Sequence, residues 1–240
     1  MLRDPSVVDA NVCASSMVSM FDICEQHRSP IGVGCAILRR DCEGRLMERR
    51  LDRLSVADYL EQESRSTIRH EFLDGETFPL AAASQRHKLI VSNLMRKAQA
   101  TLTPQGPCRV FGAHVRVHVR DRNCFYYPDL TASTDPNDRD VPYVSRPCLV
   151  IEVLSPSTAI ADRREKRMQY AAMPSLKEYV IVDQDRMRVN VFPRGDAQST
   201  CMVRTSNEPD DLLELACLGT QIRLREIYMG VVFNGVDSDL

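Results

Sequence analysis

The sequence of 240 residues has no long hydrophobic run. Its longest apolar stretch near the N-terminus, Ile31 to Leu38, has eight residues, whereas a membrane-spanning helix needs about 20. No signal-peptide pattern of basic, apolar and small residues precedes this stretch. These absences predict a soluble cytoplasmic protein that does not have a membrane as its partner.

The sequence also lacks a cysteine motif and an excess of positive charge. No two of the nine cysteines are three positions apart, so the C-x-x-C pattern of zinc and redox sites is missing, and a zinc hydrolase has little support. An odd number of cysteines without a secretory signal favours reduced thiols. The net charge of −2 argues against a pure DNA-binding module. It argues less against a nuclease, because an acidic metal site offsets local basic residues.

What remains is the composition of a globular protein, with 43% hydrophobic and 27% charged residues. Residues 1–46 show no sustained hydrophobic period, whereas almost every segment after Leu51 can be assigned to a helix or a strand. We therefore expect residues 1–46 to be a poorly ordered appendage and residues 47–240 to form the domain. Two interpretations of the appendage stay open: upstream sequence included by a start codon misplaced before Met47, or a genuine N-terminal arm.

The first half of the domain carries clear signals for helix starts and turns. Ser55, followed three positions later by Asp58, predicts the start of a helix. Asp74-Gly75 predicts a tight hairpin turn. Ser84 predicts the start of a long amphipathic helix, which ends before Pro104.

Three segments in the middle of the chain predict strands. Residues 110–120 alternate cleanly and predict one half-buried strand, with His114 and His118 on its exposed face. Residues 124–134 predict a second strand that bends at Pro128, because proline is confined to edges, strand starts and bulges. Residues 148–154 are almost wholly apolar, which suits a strand buried on both faces.

The remaining segments alternate in type. A helix is expected from about Ile160 to Met173, a hairpin over residues 178–192, and a final short helix within residues 222–233. This order of helices and strands predicts an α/β domain with a mixed sheet.

Two carboxylates on neighbouring predicted strands indicate a metal site. Glu152 is the only charge in residues 148–154, and a lone buried carboxylate is costly unless it is paired or bound to metal. Asp129 follows the predicted bend. Neighbouring strands lie about 4.8 Å apart, so the two carboxylates repel unless a cation lies between them. With the carbonyl of Val153 they provide the oxygen ligands that Mg²⁺ prefers. Taken singly, Glu152 also fits an exposed edge or a structural ion pair with an arginine, and Pro128-Asp129 also fits a turn.

The helix after the Glu152 strand adds a lysine. Asp162, Lys166 and Tyr170 are spaced by four residues and share one face. Lys166 could orient a water or stabilise charge that develops on a phosphoryl oxygen. The helix is also rich in charge, which a solvated face explains equally well, so Lys166 gains weight only in combination with the two carboxylates.

The order Pro-Asp followed by Glu on the next strand resembles the PD-(D/E)XK nuclease superfamily. Residues 51–233 resemble more closely the Uma-two family, catalogued as restriction endonucleases and as a domain of unknown function. The matching segments are LSVADYL, RHEFLDGE, ASQRHKLI, CRVFGAHVRV, YYPDL, RPCLVIEVLSPST, DRREKRMQY, LKEYVIVD and LREIYMGV. The resemblance implies a restriction-endonuclease-like mixed β-sheet core flanked by helices.

The resemblance also implies roles for single residues. Asp129 and Glu152 would bind Mg²⁺ or Mn²⁺, and Glu71 would approach the same site. The lysine that the superfamily places two residues after the glutamate is replaced by Leu154, and Lys166 on the next helix takes its place.

Two further positions are possible site neighbours. The resemblance makes His87, in the first turn of the long helix, a candidate contact for phosphate or for a ligand carboxylate, although a histidine there is more often a capping or core-edge residue. Ser155 and Ser157 could contact the substrate backbone or could simply shape the turn after the Glu152 strand.

Together these features predict a metal-dependent endonuclease that hydrolyses nucleic-acid phosphodiester bonds through a metal-activated water. Asp129 and Glu152 would hold Mg²⁺ or Mn²⁺, Lys166 would stabilise charge, and Glu71 would complete the metal shell or orient a ligand. The nucleic-acid substrate, DNA in the first place, is implied by the resemblance alone, and a homodimer would suit cleavage of both strands. The alternative is a catalytically weak or inactive nucleic-acid-binding module that retains the fold, which Leu154 and the slightly acidic charge favour.

Overall fold

The computed structural model describes residues 37–40, 46–49, 53–138, 142–154, 166–194 and 203–233. The chain divides into two compact units, Met1–Asp52 and Arg53–Leu240. In the first unit, β1 (Ile37–Arg40) and β2 (Leu46–Arg49) form an antiparallel hairpin. The expected appendage of residues 1–46 stays a prediction, since Met47 lies within β2 and the units divide after Asp52.

The second unit begins with a helix and a hairpin at the predicted places. Helix α1 (Val56–Arg65) starts after Ser55, whose side chain accepts a hydrogen bond from the Asp58 backbone N–H. Strands β3 (His70–Leu73) and β4 (Glu76–Pro79) are joined by Asp74 and Gly75. Both turn residues have positive φ, 46° and 95°, as a two-residue hairpin turn of type I′ requires.

The long helix is also confirmed. Helix α2 (Gln85–Gln99) starts after Ser84, whose side chain accepts from the His87 backbone N–H. Ile90, Leu94 and Ala98 line its buried face. These side chains pack against the central strands of a six-stranded sheet and belong to the largest hydrophobic cluster of the described residues.

The prediction of one strand over residues 110–120 is wrong. The segment forms two strands, β5 (Arg109–Gly112) and β6 (Arg116–Val119), which belong to different sheets. The chain turns between them, where the Val115 backbone N–H donates to the Gly112 carbonyl. Alternation of side chains continues through this turn, so a period of two residues does not reveal the break.

The expectation that His118 is exposed is also wrong. Its ring is half-buried and stacks on Phe125, with centroids 4.0 Å apart. Burial, and secondarily the nearby charge of Arg120, lowers the pKa of His118 to about 4. The imidazole is therefore neutral at pH 7. His114 is exposed, as expected.

The predicted bend at Pro128 is confirmed, and the chain changes from one sheet to another at this bend. Strands β7 (Cys124–Tyr126) and β8 (Leu130–Ser133) lie on either side of Tyr127–Asp129. Strand β7 belongs to a five-stranded sheet, whereas β8 belongs to the six-stranded sheet. Asp129 therefore lies where the chain passes from one sheet to the other.

The six-stranded sheet has the order β13-β12-β11-β10-β8-β5, with β10 and β11 parallel and the other neighbours antiparallel. Its remaining strands are β10 (Leu149–Leu154), β11 (Glu178–Asp183), β12 (Val189–Pro193) and β13 (Arg204–Ser206). All six residues of β10 are buried, as its apolar sequence predicts. The predicted hairpin over residues 178–192 is formed by β11 and β12.

The five-stranded sheet has the order β4-β3-β7-β6-β9, where β9 (Tyr143–Val144) pairs parallel with β6. Helix α1 covers this sheet through Tyr59, which packs on Phe72 and Phe125.

The two remaining helices lie within the predicted segments. Helix α3 (Arg167–Ala171) ends two residues before Met173, and the expected start near Ile160 lies outside the described residues. The final helix, α4 (Leu224–Ile227), covers four residues. It follows a hairpin of β14 (Leu212–Leu215) and β15 (Thr220–Arg223), which the sequence analysis does not predict.

A disulfide joins Cys148, directly before β10, to Cys217 in the turn between β14 and β15. The expectation of reduced thiols is wrong for this pair. The two cysteines are 69 positions apart in sequence, and no spacing motif predicts such a contact. Across the described residues, none of the helices is both long enough and apolar enough to cross a membrane.

Candidate active site

Four residues that the sequence analysis singles out lie together in the second unit. Asp129 is at the crossing between the sheets, Glu152 is in the middle of β10, Glu71 is in β3, and Lys166 directly precedes α3. Each of the four is at most 9% exposed. Charged side chains are this buried only where they are paired or bind a ligand.

Asp129 is held against the Glu152 strand. The Val153 backbone N–H donates to Asp129 Oδ2 over 2.7 Å, and the pairing of Leu130 with Ile151 sets this register. His87 Nε2 lies 3.2 Å from the same oxygen. The first turn of α2 therefore reaches the site through His87, while His87 Nδ1 is buried without a hydrogen-bond partner in the described structure.

Lys166 links the other two carboxylates. Its Nζ lies 2.8 Å from Glu71 Oε1 and 3.6 Å from Glu152 Oε1. The ammonium group also lies 5.3 Å from the centroid of the Tyr126 ring, within the range of a cation–π contact. Lys166 is therefore fixed in direction between β3 and β10, instead of extending into solvent.

Tyr170 supports the carboxylate of Glu152. Its phenol donates to Glu152 Oε1 over 3.3 Å. Burial, and secondarily the charge of Glu152, raises the pKa of Tyr170 far above its ordinary value. The phenol therefore stays protonated and remains a hydrogen-bond donor. Lys166 and Tyr170 reach the site together because they are four residues apart.

Three further residues are predicted neighbours of the site. Asp162, Ser155 and Ser157 lie outside the described residues.

Tyr127 and Glu63 belong to the surroundings of the site and were missed from the sequence. The Tyr127 backbone N–H donates to Glu71 Oε1 over 3.3 Å, and its phenol donates to Glu63 Oε1 over 2.8 Å. Glu63 is 3% exposed and also accepts from the His70 backbone N–H. Glu63 is four residues after buried Tyr59, so both lie on the buried face of α1. This spacing could have revealed Glu63, but a glutamate in a polar helix usually faces solvent.

The donor chemistry of this group suits a hard divalent cation. Among the described residues, Lys166 contacts Glu71 and Glu152, while Asp129 contacts the imidazole of His87 and the backbone N–H of Val153, the residue after Glu152. Carboxylate and carbonyl oxygens are the ligands of Mg²⁺ and Mn²⁺, and a cation would offset the excess of buried negative charge. Within the described ranges no cluster of three or more His, Cys, Asp or Glu forms a ready metal cage. Any such site would therefore rely on two carboxylates, a backbone carbonyl and water or substrate oxygens.

Comparison with known proteins gives the context of this geometry. Residues 56–225 match the family Uma2, described as "Putative restriction endonuclease". "Uncharacterized protein slr1290" of Synechocystis sp. (strain ATCC 27184 / PCC 6803 / Kazusa) is 28% identical over 182 residues, which cover 75% of this chain and 94% of that protein. "Uncharacterized protein sll1609" of the same organism is 32% identical over 149 residues, which cover 60% of this chain and 84% of that protein.

A solved structure matches the fold. The crystal structure described as "a putative nuclease belonging to DUF820", from Anabaena variabilis ATCC 29413, superposes with a TM-score of 0.60 and 16% sequence identity. The match covers 73% of this chain and 97% of that chain, and it confirms the predicted mixed β-sheet flanked by helices. The family match spans Glu71, Asp129, Glu152 and Lys166 and more than half of the sequence, so the chain belongs to the Uma2 family.

Proposed function

We propose that this protein is a metal-dependent endonuclease that hydrolyses phosphodiester bonds of nucleic acid, with DNA as the substrate. The observation that carries the proposal is the convergence of three buried carboxylates and Lys166 where the two sheets meet. Family membership and fold support a nuclease-like function at the coarser level. The metal and the DNA substrate are part of the proposal.

Asp129 and Glu152, with the carbonyl of Val153, would hold Mg²⁺ or Mn²⁺. When bound, such an ion supplies Lewis-acid charge and lowers the pKa of a coordinated water. The protein fixes the direction of both carboxylates, because the Val153 N–H holds Asp129 and the Tyr170 phenol holds Glu152. Fixed directions matter because a metal-ligating side chain that must reorient during the reaction stabilises the transition state less.

Lys166 would stabilise negative charge that develops on a phosphoryl oxygen. Its ammonium is held at the site by Glu71, 2.8 Å away, while Glu152 lies 3.6 Å away. A fixed, buried cation is worth more to a developing charge than one in water, because the surroundings are less polarisable. In this arrangement Glu71 acts as the residue that positions Lys166.

A second candidate function is a binding module that keeps the fold and turns over slowly or not at all. Leu154 favours it, because this buried apolar residue occupies the position two residues after Glu152 where the related superfamily has its lysine. The contact of Lys166 with Glu152 favours the enzyme instead, since a lysine from α3 reaches the same carboxylate.

Nicking of supercoiled plasmid by the full chain tests the proposal. We expect cutting with Mg²⁺ or Mn²⁺, none with EDTA, and a loss of about 100-fold or more in both Asp129→Asn and Glu152→Gln. Glu214→Gln, which changes an exposed carboxylate on β14, is the matched control and should cut like the wild type. Full metal-dependent cutting in both site variants would contradict the assignment. Folded protein that cuts neither plasmid, single-stranded DNA nor RNA would favour the binding module.

A further inference from the structure

We propose a phosphate-binding subsite at the N-terminus of α2, beside the acidic site, whose ligand is a backbone phosphate of the nucleic acid next to the bond that is cut. The inference rests on the proposed function, because it takes a nucleic acid as the substrate. It assigns a role to a cavity and to a buried amide that the acidic site does not use.

The subsite is a cavity of about 490 Å³ between the first turns of α2, the segment after β11 and the segment after α4. Its polar wall comes from the start of α2 and from Gln184, and its apolar wall comes from α2 and the C-terminal segment. The residues that matter here are Ser84, Gln85, Arg86, Leu89, Gln184 and Val231.

The start of α2 offers hydrogen-bond donors to an anion. The side chain of Ser84 takes the N–H of His87, whereas the N–H groups of Gln85 and Arg86 have no partner among the described residues. A helix of fifteen residues also carries partial positive charge at its N-terminus. Free N–H groups and this charge together favour a phosphate oxygen.

Gln184 is the independent observation that points to a ligand. The residue is only 5% exposed. Its Oε1 accepts from the Ser84 hydroxyl over 2.9 Å, and its amide nitrogen has no hydrogen-bond partner in the described part of the chain. The amide nitrogen is not among the fully buried side-chain atoms that lack a partner in the described residues, so it is accessible from the cavity that Gln184 lines and can donate to a ligand there. The Ser84 hydroxyl accepts from His87 and donates to Gln184, which fixes the amide with its N–H groups available.

Arg86 adds a cation at the edge of the same cavity. Its Nη1 lies 2.8 Å from Asp185 Oδ1, and the arginine side chain is 22% exposed against 47% for the aspartate. A guanidinium has five N–H donors, so the contact with Asp185 orients the group and leaves donors for a phosphate. Asp185 thereby limits the net positive charge of the cavity, which suits contact with one phosphate group of the strand.

The position of the cavity identifies the source of the phosphate. Ser84 caps α2 and His87 lies in the same turn, 3.2 Å from Asp129, and one helical turn rises about 5.4 Å. A nucleic-acid strand at Asp129 and Glu152 would thus carry a neighbouring phosphate to the start of α2. The apolar wall of Leu89 and Val231 offers contact area for a sugar, which free phosphate would not use.

The first test is binding of a short fluorescein-labelled DNA duplex, followed by anisotropy. The full chain would be used with Ca²⁺, which takes the same oxygen ligands in a looser geometry than Mg²⁺. Gln184→Ala removes the amide donors, and Gln184→Glu replaces them with a charged acceptor of similar shape. Gln99→Glu makes the same change at the exposed C-terminal end of α2 and is the matched control. We expect Gln184→Glu to raise Kd about tenfold or more, Gln184→Ala to raise it severalfold, and the control to stay near the wild type.

Plasmid nicking gives a second readout that a structural role would not reproduce. Gln184→Ala should raise KM and leave kcat nearly unchanged, since a remote phosphate contact contributes equally to substrate and transition-state binding. Equal Kd and equal KM for the wild type and both Gln184 variants would overturn the subsite.

Thermal unfolding with inorganic phosphate separates this inference from the proposed function. Phosphate should raise the Tm of the wild type and of Gln99→Glu, but not that of Gln184→Glu. A different outcome is that phosphate raises the Tm in this pattern while the wild type neither binds nor cuts nucleic acid. That result would overturn a backbone phosphate as the ligand of the cavity, and the proposed function would fail with it. If nucleic acid is cut but neither phosphate nor the Gln184 substitutions have an effect, only the subsite fails.

Discussion

The ammonium group of Lys166 lies between two buried carboxylates, and Glu71 is the nearer of them. The exposed fractions of the Lys166 and Glu71 side chains are 11% and 12%, so solvent screens their interaction weakly. Removal of one partner leaves the other as a buried charge with less compensation, whereas removal of both takes away the charge and its partner together. The contribution of this ion pair is therefore best measured as a coupling between the two residues.

We predict that Lys166→Met lowers the free energy of unfolding by about 3 kcal/mol and abolishes plasmid nicking. The double variant Glu71→Gln/Lys166→Met should regain most of the lost stability and none of the activity. Urea unfolding and nicking assays on the wild type, the two single variants and the double variant form the cycle. Stability effects that simply add would show that the two side chains are not coupled, and a double variant that cuts plasmid would remove Lys166 from the chemistry.

Several candidate site residues were predictable because each breaks a local rule. Glu152 puts a charge into an apolar strand, and Asp129 follows a proline inside a strand. Lys166 is harder to detect in a charge-rich segment, and it gained weight only in combination with the two carboxylates. Glu63 and Gln184 break no such rule, since both residue types are common on surfaces. Their exposed fractions fall to 3% and 5% only when distant elements pack on them.

Helices and strands were predictable where the signal is local. The caps at Ser55 and Ser84 and the turn at Asp74-Gly75 depend on residues within one or two turns of the chain, and all are present. The division of residues 110–120 and 124–134 between two sheets is not local. Side-chain alternation persists in the sequence where the chain changes sheet, so the pattern predicts strands without showing which sheet they join.

The turn between β3 and β4 provides a prediction at one glycine. Gly75 has φ +95°, and a Cβ there would lie 2.6 Å from Arg53 Cβ. Gly219, between β14 and β15, has φ +62° with nothing within 4 Å of the added atom. Alanine at Gly219 therefore incurs only the backbone penalty of a left-handed residue, about 1 kcal/mol, whereas alanine at Gly75 also creates a clash.

We expect Gly75→Ala to lower the free energy of unfolding by about 2–3 kcal/mol and Gly219→Ala by clearly less. The measurement is the urea midpoint of each variant at a constant m-value. Equal losses in the two variants would mean that Arg53 moves away without penalty and that backbone conformation alone sets the effect.

For the domain as a whole, the candidate site depends on how the two sheets are joined. Asp129 lies in the three-residue segment between β7 and β8, Glu71 comes from the five-stranded sheet, and Glu152 comes from the six-stranded sheet. Any change that shifts one sheet against the other would separate these carboxylates. The family resemblance predicted this assembly from the sequence, whereas composition and periodicity alone predicted only a mixed α/β domain.

The disulfide between Cys148 and Cys217 adds a covalent link inside the six-stranded half of the domain. Cys148 directly precedes β10, and its backbone carbonyl accepts from the N–H of Lys177, the residue before β11. The link therefore connects the strand that carries Glu152 to the β14–β15 hairpin. Closing a loop of 69 residues restricts the unfolded chain, which stabilises the folded state by about 4 kcal/mol on the chain-entropy estimate.

Cys217→Ala should therefore unfold at a lower urea concentration than the oxidised wild type, and reductant should lower the wild type to the same midpoint. Reductant should leave Cys217→Ala nearly unchanged, because the variant has no such link to lose. Cys108→Ala, which removes a free and only partly buried thiol, is the control and should respond to reductant as the wild type does. If reductant shifts the wild type and Cys217→Ala equally, another bond accounts for the effect and the link contributes nothing to stability. Nicking activity should survive reduction, since Glu152 is held by Tyr170 and by its neighbours in the sheet, so stability and activity should separate in this experiment.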